Sequence, residues 1–415
     1  MRRAVGLAYF PLSALARLPL SMLVIGALTY VVASTGSIAT AGGVAAIAGL
    51  GVAIGAPLSG MASDHWGQRP TLLVSSALYI GALIWLLVAG APVEGGLGLT
   101  PQLAASALVV GIVVPQAGPM TRVRWIRLLG GSKGDLKTLE AAQGYESTVD
   151  ELSFVLGPAA VGIIAALFGP AVPLYVALAL TVVVVPWFAL HPTAKAAAPL
   201  RHATGTGGSA NKQGAEAAQG PARVPWGLIS ILLLGMMSIG SVFGSLATAS
   251  TAFADETGHP GTGGLTSATL GLTSGAAALS VSRWPAAWSS ARRWIGCSLL
   301  LIPVLALLWL PNQPWQLAVV LLLVGAPIGP VLVTVFTAAG ARTPARRLGL
   351  VMTLLSAGIT LGTSVGNWLG GELATGGGHS AALWVTFISG VALAVFGILY
   401  WWGSRRAAVT APAGS

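Results

Sequence analysis

Apolar residues come in long runs, each about the length of a membrane-crossing helix of ~20 residues. The first six runs cover about 15–34, 38–60, 71–90, 101–120, 150–169 and 172–190. The second six cover about 226–250, 263–281, 294–310, 314–337, 349–371 and 380–402. This pattern predicts an all-α membrane protein with twelve transmembrane helices in two six-helix bundles. The run at 263–281 is the weakest, because Leu265–Val281 is mostly Ala, Gly, Ser and Thr. It predicts either a helix lining a water-filled cavity or a shallow, re-entrant segment.

Between the two sets lies 191–225, rich in Ala, Gly, Pro and basic residues and without apolar periodicity until Val224. It reads as a disordered cytoplasmic linker. The remaining chain divides into 1–190, 226–406 and a tail at 407–415. The two large parts are nearly equal in length, which suggests duplication as parallel repeats. Gly118-Pro119 in the fourth run has a counterpart in Gly329-Pro330 of the tenth. Gly157 and Gly162 of the fifth correspond to Gly366 and Gly370 of the eleventh.

Composition sharpens this picture. Hydrophobic residues make up 55% of the 415, charged residues only 8%, and there are 56 glycines. A soluble domain carries about 25% charged residues, so an ordinary water-soluble enzyme is excluded. The lone cysteine, Cys297, rules out an internal disulfide and a cysteine metal cage. The net charge of +10 would suggest nucleic acid in a soluble protein, but placement gives it another meaning. Arg2, Arg3, Arg69, Arg122, Arg124, Arg127, Lys133 and Lys137 fall in loops on one side. So do the linker's Lys195, Arg201, Lys212 and Arg223, and Arg283, Arg292, Arg293, Arg342, Arg346, Arg347, Arg405 and Arg406. Arg17, inside the first run, is expected to snorkel to the same side. The opposite loops hold Glu94, Asp255, Glu256 and Glu372 and no Lys or Arg. The positive-inside rule then predicts both termini in the cytoplasm, in a multi-pass protein of the cell membrane. The charge reports orientation, and no nucleic-acid partner is implied.

The loop after the second run reads Gly60-Met61-Ala62-Ser63-Asp64-His65-Trp66-Gly67-Gln68-Arg69. Gly60 and Asp64 share a helix face. Asp64 ends its helix, where a negative charge opposes the helix dipole. It therefore needs a cation, which Arg69 can supply, or another helix's N-terminus, which Gly60 can admit by close approach. Gly67 permits the tight turn. This spacing resembles the signature loop of the major facilitator superfamily, a glycine, three residues, an aspartate, two residues, a glycine and basic residues. In that family the loop is a conformational latch between two bundles at the cytoplasmic face. The resemblance carries the latch role to Gly60, Asp64, Gly67 and Arg69. His65 and Gln68 stand where the family often has basic residues, which implies a latch that is electrostatically weaker or tuned by pH.

Two further elements bear on transport. Leu156-Gly157-Pro158 in the fifth run resembles the antiporter element of the family's drug-efflux members, without that pattern's additional glycines; its proline can kink the helix. Glu146, Asp150 and Glu151 open this run. They are either a structural or gating charge network at a helix start or a proton-carrying site. Gly358, Gly362, Gly366 and Gly370 form a stripe four residues apart in the eleventh run and permit close packing. The drug/proton antiporters carry an arginine in the fourth helix, and this sequence has none between Pro101 and Met120, which puts proton coupling in doubt.

Candidate cavity contacts are Tyr30, Gln116, Ser238, Ser241, Thr334, Thr360 and Asn367, with Met236 and Met237 as adaptable apolar surface. All five histidines lie in loops or at run ends. The set suits a neutral or amphiphilic organic molecule. Trp368 can face either the cavity or lipid. No phosphate-binding loop, zinc-protease motif or nucleophile elbow is present, so neither an enzyme nor a self-contained ATP-driven pump is expected, and no cofactor or metal. The expected partners are the lipid bilayer, a small-molecule substrate and a proton or other coupling ion. The leading function is secondary active transport by alternating access, as export. The alternatives are uptake of a nutrient or metabolite, or a non-transporting sensor or scaffold.

Overall fold

The computed structural model describes residues 5–91, 98–129, 136–197, 223–259, 262–285 and 287–409. Glu94, Lys133, linker residues 198–222 and tail residues 410–415 lie outside them. The described residues are almost entirely helical and contain no strand. In chain order the helices are α1 Tyr9–Leu15, α2 Leu18–Thr35, α3 Ile38–Trp66, α4 Gln68–Ala89, α5 Pro101–Val113, α6 Ala117–Leu129 and α7 Leu136–Phe168. There follow α8 Val172–Leu190, α9 Trp226–Glu256, α10 Gly263–Ser280, α11 Ser290–Ala306, α12 Pro314–Arg342 and α13 Leu348–Val409. Among the described residues, ten stretches are long and apolar enough to cross a membrane by length and composition. One of them, Ala345–Arg406, is 62 residues long. A straight helix of that length would span about 90 Å, three times a bilayer core. It bends at Gly377 and Gly378, whose backbones leave the helical region, so it supplies two spans. Counting α10 as well gives the twelve expected spans.

The first and fourth spans are broken. α1 and α2 are separated at Ala16 and Arg17. In the fourth span, Pro115 has no amide N–H and drives Val114 to an extended ψ of 131°. α6 then restarts at Ala117, with Pro119 in its first turn, where proline is tolerated. The sequence reading ended this span near Met120; the helix continues to Leu129, so Arg122 and Arg124 are helical and buried. They were expected in a loop.

The fold forms two compact units, and neither is one half of the sequence. The first comprises Met1–Ser132, Leu152–Gly220 and Pro344–Ala357. The second comprises Lys133–Glu151, Pro221–Thr343 and Gly358–Ser415. Each thus takes a short segment from the other half. Within the first unit, Leu23, Val31, Val44, Tyr79, Leu83, Leu103, Val110 and Leu174 form a common core. α3 and α5 touch backbone to backbone: a Cβ on Gly55 would lie 2.0 Å from the Ile112 carbonyl, and one on Gly111 would lie 2.1 Å from that of Ala48.

In the second unit α10 is an unbroken helix of 18 residues. Its small residues serve packing: Cβ atoms on Gly325 and Gly329 of α12 would meet the carbonyls of Leu270 and Ser274 at 2.2 and 2.0 Å. α9 and α13 interlock in the same way. Gly240 and Gly244 sit on Ile359 and Thr363, while Gly358, Gly362, Gly366 and Gly370 sit on Leu233, Met237, Ser241 and Ser245. Without a hydrophobic effect inside lipid, such backbone contact is how helices associate. Large apolar side chains such as Val74, Leu78, Trp187, Trp368, Trp384 and Ile388 remain exposed as a surface for acyl chains. Trp368 is among these exposed side chains.

Candidate functional site

The first unit joins the end of α3 to the start of α13. Asp64 stands two residues before the end of α3, next to Ser63 and one turn beyond Gly60. Its Oδ1 accepts a hydrogen bond from the Gly349 amide at 2.8 Å, and its Oδ2 accepts one from Leu350 at 2.9 Å. Those are free N–H groups of the first turn of α13, where the helix dipole favours an anion. The carboxylate is half-buried, so both bonds are charge-assisted in a partly dry setting.

Glycines make the approach possible. A Cβ on Gly349 would stand 2.4 Å from Ser63 Oγ, 2.7 Å from the Gly60 carbonyl and 2.8 Å from Asp64 Oδ1. One on Gly60 would stand 2.1 Å from Thr353 Oγ1 and 2.6 Å from the Gly349 carbonyl. Gly67 turns the chain with φ +95°, a conformation that favours glycine, and its amide donates to the Ser63 carbonyl.

Of the two ways to stabilise Asp64, the structure uses the helix N-terminus. Arg69 does not serve as its cation: Nη2 of Arg69 donates to the Leu190 carbonyl at 3.4 Å. The positive charges acting on Asp64 are Arg127 and Arg347. Arg127 Nη2 also donates to the Ala345 carbonyl at 2.8 Å, holding the turn that leads into α13. His65 is exposed, with its ring edge-on to Trp66. Gln68 is buried and bridges the Met120 carbonyl to Arg124 Nε. Arg124 is fully buried, lies 3.9 Å over the Phe188 ring and donates to the Phe188 carbonyl and to Thr193 Oγ1. Burial and the nearby Arg124 lower the pKa of His191, which follows α8. Gly349, Thr353 and Arg127 were missed from the sequence; the signal was a Gly-x₃-Thr step at the start of the eleventh run.

In the second unit, the first part of α7 lies against α10. α7 begins at Leu136, so Glu146 stands about 15 Å inside the helix. Glu146, Asp150 and Glu151 therefore do not open a helix, and the helix-start reading is corrected. Glu146 is fully buried, and Glu151 Oε1 accepts from Ser274 Oγ of α10 at 2.6 Å. A Cβ on Gly144 would stand 2.6 Å from the Ala278 carbonyl. Thr148 Oγ1 donates to the Gly275 carbonyl at 3.0 Å and to Gly144's own at 2.9 Å. Arg293 of α11 adds an ion pair with Glu140 at 2.6 Å.

Further along α7, Gly157 and Pro158 belong to the first unit. A Cβ on Gly157 would lie 2.4 Å from Ser21 Oγ of α2. Pro158 sits inside α7, which stays helical through it. Arg17 does not snorkel. It is buried, with Nη1 on the Ser13 carbonyl and Nη2 on Thr121 Oγ1.

The expected cavity residues are dispersed over many contacts. Tyr30 OH donates to the Leu87 carbonyl, and Gln116 lies buried at the break in the fourth span. Ser238 bonds back to the Leu234 carbonyl. Ser241 accepts from Ser389, and Asn367 Oδ1 accepts from Thr248. Thr334 is buried on α12, and Thr360 is half-buried on α13.

Among solved structures, the human organic anion transporter MFSD10 (TETRAN) matches with a TM-score of 0.68 at 16% identity, over 96% of this chain and 99% of that one. A bacterial homologue of the iron transporter ferroportin, in an outward-facing state with soaked iron, matches with a TM-score of 0.64 at 15% identity, over 95% and 98%. These likenesses show the fold. No curated protein matches the sequence significantly. The Major Facilitator Superfamily profile matches twice, over residues 9–289 and 231–414, and the chain belongs to that family of membrane transporters.

Proposed function

We propose that this secondary transporter exports a small, neutral or amphiphilic organic molecule across the cytoplasmic membrane by alternating access. Asp64 acts as the latch whose engagement with the start of α13 stabilises one conformation. Family membership carries secondary transport itself. The observation supporting the latch is the pair of bonds from Gly349 and Leu350 to the two oxygens of Asp64. This contact joins residues 285 positions apart through main-chain donors, which no side-chain exchange in α13 other than to proline removes. A carboxylate on a helix N-terminus can be released as a unit, which suits an element that must form and break in each cycle.

Export is favoured by the Gly157-Pro158 element, whose glycine lies against α2. The basic helix ends support a cytoplasmic location for both termini and for the latch. The mostly neutral polar set around Ser238, Ser241, Thr334 and Asn367 supports an uncharged or amphiphilic cargo. The test is flux in proteoliposomes against a panel of amphiphilic drugs, organic anions and nutrients, with folding checked independently. Substrate-dependent flux is expected. Absence of flux across the panel from folded protein would defeat the reading. In cells, deletion should sensitise the host to toxic compounds; loss of nutrient accumulation instead would reverse the assigned direction.

A further inference from the structure

At the opposite end of the second unit from the basic helix ends, a second carboxylate meets a second helix start. Glu256 closes α9. Its Oε1 accepts from the His379 amide at 2.6 Å, and its Oε2 is paired with His379 Nδ1. His379 immediately follows the bend at Gly377 and Gly378, so its N–H belongs to the first turn of the second limb of α13. The bend is built for this contact: Gly378 has φ +66°, and a Cβ there would stand 2.6 Å from Glu256 Oε1. Phe253, one turn earlier on α9, packs edge-on against the imidazole at 4.9 Å. Ser380 Oγ meets the other ring nitrogen at 3.2 Å. Both nitrogens and the amide of one histidine are thus engaged.

We infer that Glu256 and His379 form a pH-responsive clip that fastens the end of α9 to the start of the second limb of α13. Histidine is the side chain whose charge ordinarily changes between about pH 5 and 8. A protonated ring places a cation on the Glu256 carboxylate and donates from both nitrogens. Deprotonation removes the cation, while the amide bond persists, Nδ1–H still donates to Glu256 and Nε2 accepts from the Ser380 hydroxyl. The clip is therefore tightest in acid and loosens as pH rises. The other titratable groups at these ends are Asp255 beside Glu256, His259 just past α9 and Glu372 on the first limb of α13, all exposed. The charge acting on Glu256 is His379. Deeper in the unit, α9 is held to both limbs without charge, by its glycines against the first and by the Ser241–Ser389 and Ser245–Thr386 bonds to the second. The clip is the titratable part of that attachment.

The experiment is hydrogen exchange on the full chain in detergent micelles, where both faces share one buffer, from pH 5.5 to 8 after correction for intrinsic exchange. Protection of amides near the end of α9 should fall about two- to fivefold as pH rises, as suits a partly exposed pair. His379→Gln should abolish this slope and leave protection at its high-pH level. Glu256→Gln keeps an acceptor for the His379 amide and should also flatten the slope, so it carries the test if His379→Gln does not fold. Wild-type protection that does not change with pH, or a slope that survives Glu256→Gln, would overturn the clip. Substrate flux is not the readout, so failure here leaves the transport proposal standing.

Discussion

The crossing of α3 with the start of α13 in the first unit and that of α7 with α10 in the second use the same parts. Each has a glycine on one helix, Gly60 or Gly275, facing a Gly-x₃-Thr step on the other, Gly349–Thr353 or Gly144–Thr148. In both, a side chain on the step's glycine would strike the partner's backbone, the Gly60 carbonyl at 2.7 Å or the Ala278 carbonyl at 2.6 Å. They differ four residues beyond the partner glycine, where the first has Asp64 and the second Leu279.

The helix ends explain the difference. α13 begins at Leu348, so the amides of Gly349 and Leu350 have no intrahelical acceptor and can receive a carboxylate. α7 begins at Leu136, so around Gly144 the amides are committed to the helix. An acid at the position of Leu279 would find no free main-chain donors, and the acid that α7 brings to this crossing, Glu151, is met by the Ser274 hydroxyl. There the threonine crosses instead, with Thr148 Oγ1 on the Gly275 carbonyl, whereas Thr353 bonds only within its own helix. The ion pair Glu140–Arg293 adds charge to the second crossing one turn before Gly144. One design thus yields a junction closed by a carboxylate on a helix end and another closed by packing and hydroxyl bonds between α7 and α10, from Thr148 to the Gly275 carbonyl and from Ser274 to Glu151.

Filling the shared glycines disrupts both crossings most strongly. Gly349→Leu and Gly144→Leu each force a side chain into backbone, and overpacking costs about 1–3 kcal/mol or more. Each should reduce flux in proteoliposomes at least about tenfold while the protein still inserts. Loss at one position and tolerance at the other would show that the crossings are not equivalent. Asp64→Asn sharpens the difference. The amide can accept from one N–H while losing the charge, at about 0.3–2 kcal/mol for an anion on a helix start. Transport kinetics should change about two- to thirtyfold with normal insertion. Unchanged kinetics would remove the latch role from Asp64.

The sequence showed the first crossing because its acid sits in a recognisable spacing, and Gly60, Asp64 and Gly67 stand where that spacing puts them. It also showed the twelve spans, whose apolar runs are long. It hid the ends of the fourth and fifth. Arg122, Arg124 and Arg127 looked like a loop, yet α6 tolerates Pro119 in its first turn, runs on to Leu129 and buries Arg122 and Arg124. The polar stretch 136–149 looked like the approach to a span, yet it is helix because its small and polar residues pack on α10. Arg69 was misassigned because sequence neighbourhood suggests an ion pair, whereas its reach is set by the end of α8. The composition of α10 was ambiguous for a similar reason: small residues suit a wet cavity and a dry backbone contact equally well, and only the partner helix decides.

The mildest change isolates the threonine bond of the second crossing. Thr148→Val keeps the shape of the side chain and its methyl contact near Gly275 but removes the hydroxyl that bridges the carbonyls of Gly144 and Gly275. Both are backbone acceptors, and the Gly144 carbonyl retains its place in the helix, so no charged group is left stranded. A net hydrogen bond contributes about 0.5–1.5 kcal/mol, and the bond lost here is part-buried and shared between two acceptors. Flux should change by about two- to threefold, at the low end of that range. Thr353→Val, which removes no bond to α3, should change it less. If Thr148→Val matched the effect of Asp64→Asn, the second crossing would be as much a switch as the first, and the free amides at the start of α13 would not set the two apart.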